Sequence, residues 1–388
     1  MKKIGLFLVA IAIILVGFLV YRNIPKTGEH NNSELIKKQA EEIPVIESDD
    51  LFGDYYGKAE VLLKKMSLEE KIGQLFLVRY DVNTSKKQIV DYYAGGFVLF
   101  ARDFQNHTKK SIKKELDERQ NLSKIPLALA VDEEGGYVTR VSRYPAFRSE
   151  KFKSNKTLFE TGGYELVEAN EKEKAELLLS IGLNLNLAPV ADVSVNENDY
   201  MYIRSFGRDA NETSTFISNI VKYNNNSGIS SCLKHFPGYG NNVDTHGGIA
   251  IDNRSYDSFV NNDFLPFKSG IEAGVPTILV SHNVVNAIDS NYPASLSSKV
   301  ILELRNTLGF SGIVMTDDLA MGAVEKYVSE SNAATLAINA GNDMIITSDF
   351  ETMFNEVLKN VKDGIIKEET IDTAVRRIIA WKYAYKLF

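Results

Sequence analysis

Past residue 51, short apolar runs alternate with longer stretches whose apolar positions recur at helical spacing. The strand candidates are residues 74–79, 96–100, 126–132, 184–192, 231–235, 277–282, 312–317 and 343–347. Amphipathic stretches lie between several of them, at 151–179, 264–273 and 298–308. The runs are apolar at nearly every position, as parallel strands buried on both faces require. Strands alternating with helices in this way predict an α/β fold, and their number favours a closed (β/α)8 TIM-type barrel over an open sheet.

The polar residues fall at the ends of these runs. Asp132 ends the third, Asp192 the fourth, Lys234 and His235 the fifth, His282 the sixth, and Asp317 with Asp318 the seventh. In a barrel those ends share one mouth, where the chemistry of this fold sits. A single such residue is ordinarily a structural hydrogen-bonder. Acids, a lysine and histidines converging from five strands read as an active site.

The other marked change in pattern is at the N-terminus. Lys2 and Lys3 precede the charge-free apolar residues 4–21, a run near the minimum length for a bilayer-spanning helix. The lysines place the remainder outside the cell membrane. A cleaved signal peptide is the alternative, though no small-x-small site closes the run. The expected organisation is a membrane anchor over 1–22, a polar tether over 23–50 and a single domain over 51–388.

Composition narrows the picture further. The chain has 388 residues with a formal net charge of −7, which disfavours nucleic acid as a partner. Its one cysteine, Cys232, excludes an internal disulfide and lies in an apolar run, as a core thiol would. With 5 histidines and no His-Glu-x-x-His pair, neither a metal nor a cofactor is expected.

Asp317 follows the apolar run Ile313-Val314-Met315 and is suited to be a nucleophile at the mouth. Asp318 points to the opposite side if strand alternation continues, and is expected to cap the following helix near Leu319-Ala320-Met321. A second group comes from the glycine-rich stretch after Lys234-His235-Phe236-Pro237-Gly238-Tyr239-Gly240, which contains Asp244-Thr245-His246. A carboxylate two residues from an imidazole can orient it and raise its basicity, making His246 with Asp244 a general acid/base pair.

These segments resemble glycoside hydrolase family 3, in particular its bacterial β-N-acetylglucosaminidase branch. The resemblance runs through Met66–Gln74, Val131–Gly136, Ala188–Val193, Arg204–Gly207, Pro293–Ser297 and Met315–Leu319, besides Lys234–Gly240 and Asp244-x-His246. It implies that Asp317 forms a covalent glycosyl-enzyme and that His246, paired with Asp244, protonates the leaving group and later activates water. It also implies that Asp132, Arg140, Arg204, Lys234 and His235 hold the hydroxyls and acetamido group of a terminal sugar. Family 3 β-glucosidases look different at the Asp-x-His segment and usually take the acid from another domain. The last barrel helix, near 376–385, is close to the end of this chain, which favours His246.

The chain departs from the family at Tyr239 (commonly His), Tyr137 (commonly Arg) and Glu133 (commonly Gln). Tyr137 and Glu133 are expected to bear on how the leaving-group sugar is read. The implied substrate is an N-acetylglucosamine-containing wall fragment or chitin oligomer, cleaved by a monomer with its catalytic domain outside the cell membrane. Two alternatives stand beside hydrolysis: a phosphorylase using the same intermediate, and an inert wall-binding protein on the same barrel.

Overall fold

Parallel strands build the molecule around a single ring. They are β1 (Phe76–Arg79), β2 (Gly96–Leu99), β3 (Ala128–Val131), β4 (Leu185–Asn186), β5 (Ser230–Phe236), β7 (Thr277–Val280), β9 (Ile313–Thr316) and β10 (Ile345–Thr347). The computed structural model describes residues 50–240, 250–320, 324 and 330–388. The proposed anchor over 1–22, nearly all of the tether, and Asp244 and His246 lie outside the described residues. Among the described residues, no helix is long and apolar enough to cross a membrane.

The ring runs in the order β10-β1-β2-β3-β4-β5-β7-β9. A parallel bridge between Met315 and Met344 joins its two ends, so the sheet closes. Two short strands, β6 (Ile251–Asp252) and β8 (Val284–Val285), pair with each other outside the ring. The apolar runs predicted as strands all contribute to the barrel. Residues 184–192 depart most, because only Leu185–Asn186 is regular strand. Pro189 has no N–H to give a ladder, so the chain beyond Asn186 continues irregularly. It still touches β5, where Val190 bridges to Lys234 and Ala191 N–H donates to Lys234 O at 2.7 Å.

Local chemistry sets the surrounding helices. Ser67 and Glu70 form a reciprocal capping box at the start of helix Leu68–Gln74. Ser154 caps helix Asn155–Ser180, and Gly162-Gly163 interrupt it with non-helical backbone. Helix Ser298–Leu302 gives way to a π-turn at Glu303–Thr307, within the stretch expected to be helical. The final helix, Glu368–Ala384, buries Trp381 completely and ties it to the barrel through Nε1–H···Oγ of Ser230 at 2.9 Å. Cys232 is buried in the same core.

Candidate active site

Every ring strand delivers its C-terminal end to one side, and a cavity of about 520 Å³ opens there. Asp132, Arg140, Arg204, Lys234, His235 and Asp317 all line it. Two local irregularities explain how neighbours share it. The pairing of β5 with β7 shifts register between Lys234 and Phe236, a bulge-like break in alternation, so Lys234 and His235 both face the cavity. β9 ends at Thr316, so alternation no longer governs Asp317 and Asp318. Both therefore line the cavity, and the expectation that Asp318 faces away is corrected. Asp318 Oδ1 accepts the Ala320 N–H at 3.0 Å, while the start of the helix it was expected to cap, from Met321, lies outside the described residues.

A chain of charge-assisted bonds runs along one wall. Lys234 Nζ donates to Asp132 Oδ1 and to Glu134 Oε1, each at 2.7 Å. Arg204 grips Glu134 in a bidentate pair, donating from Nη2 at 2.7 Å and from Nε at 3.1 Å. His235 Nδ1 meets Asp192 Oδ2 at 2.8 Å, and its Nε2 faces Arg204 Nη2 at 3.4 Å. A carboxylate can only accept, so the contact with Asp192 fixes a proton on Nδ1. Asp192 also takes the backbone N–H groups of His235 and Tyr239, at 3.1 and 2.8 Å.

These charges set the carboxyl groups apart. Burial alone would raise Glu134, but Lys234 and Arg204 overcome it and hold the group well below the usual carboxylate range. Burial would also raise Asp317, yet His282, His235, the Asp318 N–H and Lys234 bring it below the ordinary aspartate value. Asp318, a residue away, is instead raised, chiefly by burial. Asp317 is thus an ionised carboxylate facing open space. Its Oδ1 accepts the Asp318 N–H at 2.8 Å, and among the described residues no donor bonds its Oδ2. His282 stands behind it, bonded to Ser295 Oγ at 2.7 Å and Asp318 O at 3.0 Å.

Residues 67–381 match the glycosyl hydrolase family 3 N-terminal domain. The chain belongs to this family. It is a glycoside hydrolase built on a parallel-sheet barrel. The β-hexosaminidase of Nitrosomonas eutropha is 31% identical over 292 residues, which cover 72% of this chain and 80% of that protein. A family 3 β-N-acetylglucosaminidase from Paenibacillus superposes with a TM-score of 0.77 at 28% identity, covering 83% of this chain and 63% of that one. This chain therefore spans less than two thirds of the Paenibacillus enzyme. A β-N-acetylhexosaminidase from Beutenbergia cavernae gives 0.74 at 27%, covering 82% and 99% respectively.

Within this family 3 barrel, one position differs from what the sequence led us to expect. Glu133 does not face the cavity. It is fully buried and accepts the N–H groups of Arg140 and Val141, both at 2.7 Å, together with a short bond from the Ser142 hydroxyl. It shapes the loop that carries Arg140 and does not reach a leaving group. Its neighbour Glu134, not singled out from sequence, is the hub joining Arg204 to Lys234. No signal separates two adjacent glutamates past the end of β3; only the turn that follows does. Tyr137 stands at the rim, 74% exposed, while Tyr239 is buried edge-on to the His235 ring at 5.2 Å. Arg79, also unremarked in sequence, lies over the Phe100 ring at 4.5 Å on the opposite wall.

Proposed function

We propose that this glycoside hydrolase is a retaining β-N-acetylglucosaminidase, or β-hexosaminidase, acting on non-reducing terminal N-acetylglucosamine of peptidoglycan- or chitin-derived saccharides. The observation that carries the reading is Asp317, an ionised carboxylate at the open mouth with one oxygen that no donor bonds among the described residues. The hexosaminidase names of the similar proteins support the sugar class.

In this mechanism Asp317 attacks the anomeric carbon as the bond to the leaving oxygen breaks, and His246 gives that oxygen a proton. Water then attacks the glycosyl-aspartate, losing its proton to His246 and freeing Asp317. Asp244 orients the imidazole. Asp132, Arg140, Arg204, Lys234 and His235 bind the sugar, and the Lys234–Asp132 and Arg204–Glu134 bonds hold those donors in position before it arrives. The charge-free run behind Lys2 and Lys3 supports an anchor that keeps the domain outside the membrane.

A slow 5-fluoro N-acetylglucosaminyl fluoride, followed by peptide mapping, tests the chemistry. Label on Asp317 is expected; label on another residue, or none, overturns the nucleophile. Turnover of the 4-nitrophenyl glycoside with and without inorganic phosphate checks the acceptor, and a sugar 1-phosphate product would overturn hydrolysis.

A further inference from the structure

We propose that Tyr137 and Tyr200 form a stacking platform at the rim of the cavity, which takes the ring of the leaving-group sugar. The inference rests on the function proposed above, in which a non-reducing terminal sugar is held among Lys234, His235 and their partners. Lys234, His235 and Glu134 are buried, so that sugar sits deep in the cavity. The rest of the saccharide leaves through the open mouth, and its second ring meets the rim.

The apolar lining changes character from floor to rim. Val98, Leu187, Leu279 and Ile346 line the cavity as buried aliphatic groups. Tyr137 and Tyr200 also line it, yet Tyr137 is 74% and Tyr200 36% exposed. They follow β3 and β4, which are neighbours in the ring. Large apolar surface left in water beside a polar site calls for a binding explanation.

Tyr137 stands on a turn that the backbone fixes without its ring. Gly135 N–H donates to Val138 O at 3.0 Å, and Gly136 N–H to Phe152 O at 2.8 Å. Lys151 Nζ donates to Gly136 O at 3.2 Å. Gly135 and Gly136 have φ +96° and +64°, and Cβ atoms there would stand 2.4 Å from Lys153 O and 2.7 Å from Ser154 Cβ. The turn is thus a rigid mount that displays an aromatic side chain outward. Tyr200 is the outer member of a line of rings. Its ring lies 6.1 Å from that of Tyr239, which in turn meets His235 edge-on at 5.2 Å. Its loop is braced by Asp199, whose N–H donates to Asn196 O and whose Oδ2 accepts from Ser194 Oγ, both at 3.0 Å.

A β-linked pyranose carries its hydroxyls around the edge and C–H bonds on its faces. Such a face covers an aromatic ring while the hydroxyls stay in water. Tyrosine suits the task because it offers a flat, amphipathic surface with few rotatable bonds to freeze. A pre-organised mount lowers the ordering cost further.

The test compares Tyr137→Ala, Tyr200→Ala and the matching Phe variants on two substrates. N,N'-diacetylchitobiose has a sugar ring as its leaving group, and β-N-acetylglucosaminyl fluoride has none. Each Ala variant is expected to raise KM for the disaccharide about 10-fold with kcat near the parent's, and to lower the disaccharide-to-fluoride ratio of kcat/KM by the same factor. The Phe variants keep the ring and should hold that ratio within about 2-fold of the parent. An unchanged ratio in either Ala variant, or equal losses on both substrates, overturns the platform. Phe variants as impaired as the Ala ones overturn it too, because the hydroxyls would then do the binding. A parent that cleaves neither substrate fails the proposed function itself, whereas a parent that cleaves both while the ratio holds fails the platform alone. Should Tyr200→Ala not fold, Tyr137→Ala, at a side chain mostly in water, decides.

Discussion

The two ends of the barrel both hold buried ion clusters, yet they are built to opposite purposes. At the base, Asp343 accepts from Arg305 at 2.6 Å, from Arg377, and from Val314 N–H at 2.8 Å. Arg305 spends its other arm on Phe310 O and Gly312 O. The cavity beside them is about 20 Å³, room for about one water. At the mouth, Asp132, Glu134, Arg204 and Lys234 are as tightly bonded, but they border about 520 Å³ of open space. The difference lies in what is left over. Apart from Arg377 Nε, which is buried without a partner among the described residues, the base spends its bonding capacity on the protein itself, whereas the mouth sets an ionised Asp317 beside the open cavity with an Oδ2 that no donor bonds among the described residues. A buried charge cluster alone does not mark a site; spare bonding capacity beside open volume does.

The largest expected effect breaks that comparison at its most specific point. Asp317→Asn is expected to lower kcat/KM by about 10⁴-fold or more while the unfolding midpoint stays near that of the parent. Retained turnover would place the nucleophile elsewhere. Asp343→Ala should do the reverse. It strands two buried guanidinium groups and should cost about 3–5 kcal/mol in urea unfolding, with KM unchanged in the protein that remains folded. An altered KM with unaltered stability would mean the base takes part in binding. Glu134→Gln falls between them, because its carboxylate sits beside two donors that face the cavity. A kcat/KM about 100-fold lower is expected in steady-state assays, and an unchanged value would leave Glu134 with a purely structural part.

The two ends also differ in how much of them the sequence reveals. The barrel is readable because strands buried on both faces leave nearly unbroken apolar runs, and the mouth is readable because those runs end in charge. Legibility stops where regular strand stops. Pro189 cuts β4 short, and Asp192 reaches His235 through irregular chain that no periodicity describes. Past β3 and β9 alternation lapses, so it neither separates Glu133 from Glu134 nor assigns Asp318 a side. The base is almost silent in sequence. Arg305 and Arg377 sit on amphipathic helices, where a buried arginine looks like any solvated one. They meet Asp343 only across separations of 38 and 34 residues.

The smallest expected effect is a slope, and it sharpens the comparison through pH. At the mouth, Asp317 and Glu134 have folded values below their ordinary ones. Their stabilising contribution is full above about pH 5, clear of the unfolded values, and is lost as pH falls toward and through the folded ones, so this end responds to acid. At the base, Lys382 is buried without a carboxylate, donating to Gln74 Oε1 at 2.8 Å and Gly95 O at 3.0 Å. Burial lowers it from 10.5 to about 7. Between those values the unfolded chain holds a proton that the folded chain lacks, so stability rises with pH across that window. One such group contributes at most about 1.4 kcal/mol per pH unit. Unfolding free energies of the parent and Lys382→Met, measured from pH 7 to 9.5, isolate this group from the tyrosines that titrate higher. The parent curve should climb relative to the variant's. Parallel curves would mean that Lys382 stays charged when folded, and that the base, like the mouth, keeps its cations ionised.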